Sequence, residues 1–164
     1  MKTVYIDKNE MPGATSLWMK NVEIKWAGVV IYSMSVKDKD ENYQRYEEKH
    51  DIQFIFDDKR PNIDFFTVPM VEIFAIDSEG GSIGSVGEGV DLESTAPICY
   101  ISKNKECFLI AESFKHLTNN PQNWKQNMKS YYEIEIFSSK EDAEKKFEFL
   151  DIKEIQDYKN RKNR

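Results

Sequence analysis

Cysteine, histidine and long apolar runs are all scarce in this 164-residue chain, which has two cysteines and two histidines. Two cysteines are too few for a secreted fold held together by disulfides. No apolar run approaches the roughly 20 residues that a membrane-spanning helix needs. Residues 1–10 alternate charged and apolar side chains and lack the apolar core of a signal peptide. We therefore expect a cytoplasmic protein with no membrane partner.

The thiol and imidazole side chains are scattered along the chain. Cys99 and Cys107 each lie in a short apolar run, which is typical of a small buried thiol. A disulfide between them across a hairpin is the alternative, and a reducing compartment disfavours it. His50 and His116 have no histidine or cysteine neighbour at the spacing of metal ligands. The sequence therefore predicts neither a metal ion nor a cofactor.

Lysine and arginine are absent from residues 61–102, although the chain has 23 of them. The acids of that segment are Asp64, Glu72, Asp77, Glu79, Glu88, Asp91 and Glu93. The segment thus carries more negative charge than the net −6 of the whole chain. An acidic surface repels phosphate backbones, so we expect no direct nucleic-acid binding, whereas a basic protein would be attracted. An acidic solvated loop that serves only solubility is the alternative.

The clearest periodic pattern covers residues 22–36, where apolar side chains occupy the even positions. A period of two predicts a half-buried strand. Because this segment is longer than a normal strand, we expect a bend near Ala27 and Gly28. Alternation leaves one wet face, which favours antiparallel pairing. Residues 37–50 are polar apart from Tyr43 and Tyr46, and they form either a short exposed helix or a long loop.

Shorter apolar runs predict further strands at residues 52–56, 63–68, 71–76, 98–101, 107–111 and 132–137. Residues 112–117 predict a short helix. Ser138 and Glu141 form a capping box, and Ala143, Phe147 and Leu150 lie on one face of the helix that would follow. Since strands and helices do not alternate regularly, we predict an α+β fold, a mostly antiparallel sheet with helices packed on one face.

We expect residues 1–158 to form a single domain, and residues 159–164 a basic, frayed C-terminal tail.

Residues 77–89 contain five of the seven glycines, which invites a phosphate-binding interpretation. The glycine spacing, the absent cation and the lack of a following helix argue against it, so we predict a hairpin with close backbone approach. Asp77, Glu79, Glu88 and Asp91 could converge on calcium, although the fixed pattern of a calcium loop is missing. A nucleophile motif is also missing. Cys99 paired in space with His116 is the remaining catalytic possibility.

Three stretches resemble the core of the SUKH superfamily of small α+β domains, which is common among bacterial immunity proteins. They are VPMVEIFAIDSEGGSIG at residues 68–84, API at 96–98 and CFLIAESFKHL at 107–117. In that family an apolar strand runs into an acid–glycine turn and a second strand, followed by further strands and a short helix. The similar residues cover less than a third of the chain, and their motifs are short and hydrophobic.

The resemblance implies a non-enzymatic binding protein that neutralises a cognate bacterial toxin, often a nuclease. Nuclease active sites are basic where they hold phosphates, so an acidic face would fit one. The partner-binding acids that we predict are Asp77, Glu79, Glu88, Asp91 and Glu93. Two alternatives stay open: a small-ligand-binding or regulatory α+β domain, and an enzyme without a recognisable motif. The oligomeric state is not predicted.

Overall fold

The computed structural model describes residues 1–14 and 17–153, which contain eleven strands and three helices. The strands are β1 (Lys2–Asp7), β2 (Val22–Ala27), β3 (Val29–Ile31), β4 (Gln53–Phe54), β5 (Phe66–Val68), β6 (Val71–Ile76), β7 (Ser82–Val86), β8 (Ile98–Ile101), β9 (Cys107–Ala111), β10 (Lys129–Ser130) and β11 (Glu135–Phe137). The helices are α1 (Glu41–His50), α2 (Phe114–Asn119) and α3 (Lys140–Glu144). The predicted α+β class is confirmed. The predicted basic tail lies outside the described residues.

The largest sheet has the strand order β10-β9-β8-β7-β6-β3, with β4 also paired to β6. Its pairs are antiparallel except β3 with β6. β1 pairs with β2 in a parallel ribbon, and β5 pairs with β11 in an antiparallel one. The expectation of antiparallel pairing for residues 22–36 is therefore wrong. The alternation of side chains indicates which face of a strand is exposed to solvent, but it does not indicate whether the neighbouring strand is parallel or antiparallel.

Gly28 divides the long alternating segment into β2 and β3, which belong to different sheets. Its φ of +96° is a conformation that glycine adopts at low cost, and a Cβ there would lie 2.7 Å from Asp7 Oδ1. The predicted bend is thus confirmed.

Strand β3 ends at Ile31, and helix α1 begins after Asp40. The Asp40 side chain caps α1 by accepting hydrogen bonds from the N–H groups of Asn42 and Tyr43. Residues 37–50 therefore contain the helix and not a long loop.

The central strands β6, β7 and β8 of the large sheet are buried on both faces. On one face, Phe74 and Tyr100 pack with the helix residues Tyr46 and Leu117. The side chains of opposite parity, such as Ile73, Cys99 and Ile101, pack with Ile134 and its neighbours on the other face. Every residue of β7 and β8 is consequently buried, including Ser82 and Ser85. Helices α1 and α2 cover one face as predicted, and the second face is covered by loop and strand residues.

Helix α3 differs from its prediction at both ends. Its N-cap is Ser139, which accepts from the Asp142 N–H, whereas the neighbouring Ser138 hydroxyl donates to the Asp142 carboxylate. The helix ends at Glu144, and the chain then runs beside β1, where the Tyr5 N–H donates to the Glu148 carbonyl at 2.9 Å. Aromatic packing overrides the helical pattern here, because the Phe147 ring lies edge-on against Tyr5 with centroids 5.3 Å apart.

Candidate interaction site

The five acids that the sequence assigns to one face lie at two ends of the β6–β7 hairpin. Asp77 and Glu79 belong to the turn that joins the strands, whereas Glu88, Asp91 and Glu93 follow β7 at the opposite end. A strand of this length separates its ends by about 17 Å. The structure therefore does not bring the five carboxylates together, and the four candidate calcium ligands do not converge.

Asp77 is a structural residue. It is 4% exposed, and its carboxylate accepts hydrogen bonds from the Tyr100 hydroxyl at 2.7 Å, the Gly81 N–H at 2.7 Å and the Glu79 N–H at 3.2 Å. Burial and the hydrogen bond from its hydroxyl to Asp77 raise the pKa of Tyr100 well above its usual value. The donors enclose the Asp77 carboxylate and its side chain is fully buried, so Asp77 is not part of the exposed acidic surface.

Lys125, which lies outside the lysine- and arginine-free residues 61–102, neutralises the turn end of the β6–β7 hairpin. The Lys125 ammonium lies 2.6 Å from the Asp51 carboxylate, 3.2 Å from Asp77 and 3.8 Å from Glu79. Burial alone would lower the pKa of Lys125, but its hydrogen bonds to Asp51 and Asp77 raise it. Asp51 also accepts from the Ser78 N–H and hydroxyl. The cluster ties the end of α1 to the hairpin turn.

The other three acids share the connection between β7 and β8, residues 87–97, which we name the acidic loop. Glu88, Asp91 and Glu93 are all exposed, and no lysine or arginine occurs in the loop. Asp91 accepts from the Glu93 N–H, and Glu88 accepts from the Ser94 hydroxyl at 2.8 Å. Leu92 lies between the acids and is 58% exposed. The loop thus presents an exposed apolar side chain that is flanked in sequence by the exposed acids Asp91 and Glu93.

Glu72 fixes the acidic loop to β6. Its Oε2 accepts from the Val90 N–H at 2.6 Å, and a Cβ at Gly89 would lie 2.8 Å from the same oxygen. Burial raises the pKa of this carboxyl, and the Val90 N–H opposes the rise only in part. The folded protein therefore binds a proton at Glu72 more tightly than the unfolded chain does, and the free energy of unfolding falls as pH rises from about 4.5 through the folded-state pKa.

We expect Glu72→Gln to raise the free energy of unfolding at pH 7, because glutamine keeps an oxygen for the Val90 N–H without the cost of a half-buried charge. The gain should shrink as pH falls to about 4.5, the usual pKa of glutamate. Urea unfolding at both pH values measures it, and Glu88→Gln, at an exposed position of the same loop, is the matched control. A gain that is equal at both pH values would contradict the explanation.

Two grooves border the acidic loop. One has a volume of about 660 Å³ and is lined by Trp26, Pro69, Pro97 and Glu88, among others. The second has a volume of about 480 Å³ and lies between α1 and the loop residues Val90, Asp91 and Leu92. The rings that line this second groove, which we name the aromatic groove, belong to Tyr32, Tyr43, Tyr46, Phe54, Phe74 and Phe114. The acidic loop and the two separate grooves that it borders together make up the candidate site.

Sequence reasoning missed Leu92 and the aromatic groove. Tyr43 and Tyr46, three residues apart on an otherwise polar helix, were the available signal, since residues at that spacing lie on the same helix face. Tyr32 fits the strand alternation, so its 41% exposure had no sequence signal. The groove could not be predicted because α1 and β4 meet β6, the acidic loop and α2 there, and these last three elements are distant in sequence from the first two.

The described residues form neither the Cys99–His116 pair nor a metal-binding cluster. Cys99 and Cys107 are both free thiols. The Cys107 thiol and burial raise the pKa of Cys99, which disfavours a reactive thiolate. Cys99 and the α2 residue Leu117 pack on opposite faces of the sheet, so His116 on α2 does not approach Cys99. Residues 1–14 and 17–153 contain no group of three histidine, cysteine, aspartate or glutamate side chains placed to hold a metal ion.

The glycine-rich segment forms the predicted hairpin. β6 and β7 pair across the turn that contains Gly80 and Gly81. Gly84 packs closely against β6, because a Cβ at Gly84 would lie 2.9 Å from the Glu72 carbonyl oxygen.

Within the part of the chain that the structure describes, none of the helices has the length and apolar character required to cross a lipid bilayer.

Comparison of the chain with protein-family models, with curated proteins and with solved structures found no match. The resemblance to the SUKH superfamily therefore stays a prediction.

Proposed function

We propose that this chain is a non-enzymatic binding protein that neutralises a basic bacterial toxin, such as a nuclease, by covering it with the acidic loop. The observation that carries the proposal is the exposed Leu92 among the exposed carboxylates of Glu88, Asp91 and Glu93. Protein interfaces commonly combine an apolar centre with a polar rim. The rim here carries one sign of charge, which selects a basic partner.

The position of the loop supports the same function. Glu72 holds its backbone from the sheet side, and the Glu88–Ser94 and Asp91–Glu93 hydrogen bonds hold it internally. A loop that is already ordered loses less conformational entropy when it binds, which favours tight association. At the opposite end of the hairpin, Lys125 already neutralises Asp51 and Asp77. The acidic loop is therefore the more attractive surface for a basic partner.

The test is co-expression of the chain with the product of the gene adjacent to its own. We expect the adjacent product to be toxic alone, to be harmless when this chain is present, and to elute with it as one complex. An exposed-charge variant, Asp64→Asn, serves as a control that should protect equally, since Asp64 is far from the loop and pairs with Lys105. Toxicity that persists although both proteins are present and folded would refute the proposal.

A further inference from the structure

The aromatic groove has a floor and an open mouth. The Phe54 and Phe74 rings lie 5.9 Å apart at its base, and the Tyr43 and Tyr46 rings stand edge-on to Phe54 at 5.2 and 5.3 Å. Phe74 is 1% exposed, whereas Tyr32 at the mouth is 41% exposed. The groove is therefore preformed by mutual ring packing, and it offers aromatic surface to a ligand that enters from solvent.

Negative charge surrounds these rings. Asp40, the N-cap of α1, and Asp91 in the acidic loop both line the groove. None of the described residues that line it is lysine or arginine. Burial raises the pKa of Tyr43, and the charges of Asp40 and Asp38 raise it further, which indicates a negative potential at this ring. One cation–aromatic contact already exists beside the groove. The Lys39 ammonium lies 5.4 Å from the centroid of the Phe56 ring, and that ring packs against Tyr43.

Both lining carboxylates have capacity for a ligand. Asp40 uses Oδ1 to cap α1, and Asp91 uses Oδ1 to accept from the Glu93 N–H. Within the described residues, Oδ2 of neither aspartate takes part in a hydrogen bond or an ion pair. Aromatic faces attract cations through the ring quadrupole, and carboxylates pair with them directly. The same groove thus supplies both kinds of contact to one positively charged group.

We propose that the aromatic groove takes an arginine side chain of the protein partner, with the guanidinium against the tyrosine rings and paired with Asp40 and Asp91. This proposal rests on the proposed function for the existence of that partner. Arginine fits better than lysine because its planar, weakly hydrated guanidinium stacks on aromatic rings and presents several N–H groups to carboxylates. The groove would be the anchor point that orients the partner on the acidic loop.

The groove can be tested without the partner. N-acetyl-arginine N-methylamide is titrated into the free, full-length chain, and backbone amide chemical shifts are followed. We expect weak, saturable binding in the millimolar range, with shifts concentrated at Tyr43 and at Leu92. The citrulline analogue has the same shape without the charge and should bind at least about tenfold more weakly, as expected for losing the cation–π contact and both ion pairs. The lysine analogue should also bind more weakly.

The variant Asp40→Asn/Asp91→Asn removes both charges and keeps the Oδ1 acceptors that order α1 and the loop. It should weaken arginine binding by about tenfold, as for the loss of two charge-assisted contacts. The exposed Asp64→Asn is the matched control and should bind as the wild type does. Equal affinity for citrulline or lysine, shifts outside the groove, or no binding would each overturn the arginine assignment. These results leave the co-expression outcome untouched, so the two proposals fail separately.

Discussion

Asp77→Ala is expected to lower the free energy of unfolding by about 3–5 kcal/mol, the range for breaking a buried ion pair and its hydrogen bonds. The alanine would leave the Gly81 N–H and the Tyr100 hydroxyl without their acceptor, and both groups are buried. Lys125 would lose one of its carboxylates. Because a domain is stable by only about 5–15 kcal/mol, the loss would be a large part of the total. Chemical unfolding followed by fluorescence of the buried Trp124, whose ring lies against Tyr100, measures it.

The matched control for this result is Glu79→Ala, two residues along the same turn. Its carboxylate is exposed and reaches Lys125 only at 3.8 Å, so the expected loss is below about 0.5 kcal/mol, as for most exposed ion pairs. If Asp77→Ala prevents folding, Asp77→Asn gives the intermediate case, since one amide oxygen can still accept from Gly81 while the amide nitrogen faces Lys125. Equal stability of the Asp77 and Glu79 alanine variants would show that the hydrogen-bonded cluster does not stabilise the fold.

The contrast between Asp77 and Glu79 shows what could not be predicted from the sequence. The absence of lysine and arginine from residues 61–102 correctly located a surplus of acid, but sequence distance is not spatial distance. Lys125 is separated from Asp77 by three strands and a helix, and the fold returns it to the hairpin turn. A charge count along the chain could not show this pairing. The charge count matches the structure only at the acidic loop, where no lysine or arginine occurs and three acids are exposed.

Secondary structure was predictable where one local interaction dominates. The hairpin of β8 and β9 and the bend at Gly28 follow from short-range patterns, and both are present. Prediction failed where tertiary packing decides. The alternation of residues 22–36 did not reveal two sheets or parallel partners, and the helical pattern behind Ser138 did not reveal that Phe147 and Phe149 pack against Tyr5. In each failure, the determining contact joins residues that are far apart in the sequence.

Charge reversal of the acidic loop is expected to have the largest effect on function. If the proposed function is right, the variant Glu88→Lys/Asp91→Lys/Glu93→Lys should weaken binding to the proposed basic partner by at least about 100-fold, because like charges would then face each other. All three side chains are exposed, so the fold of the sheet should be retained, which circular dichroism can verify. The variant also removes the Glu88 and Asp91 acceptors that order the loop, and this loss adds to the effect of the reversed charges. Binding kinetics at low and high salt provide the measurement, and the loss should be smaller at high salt because mobile ions screen exposed charges.

The control for charge reversal places the same change at the other end of the sheet, in Asp64→Lys/Glu79→Lys/Glu106→Lys. These side chains are also exposed, and Lys105 and Lys125 lie beside two of them. If the loop forms the interface, this variant should bind within about fivefold of the wild type, since only long-range steering is altered. Equal losses in both variants would assign the effect to net charge alone. Wild-type affinity in the loop variant would exclude the loop from the interface, because three reversed charges at a contact surface cannot be energetically neutral.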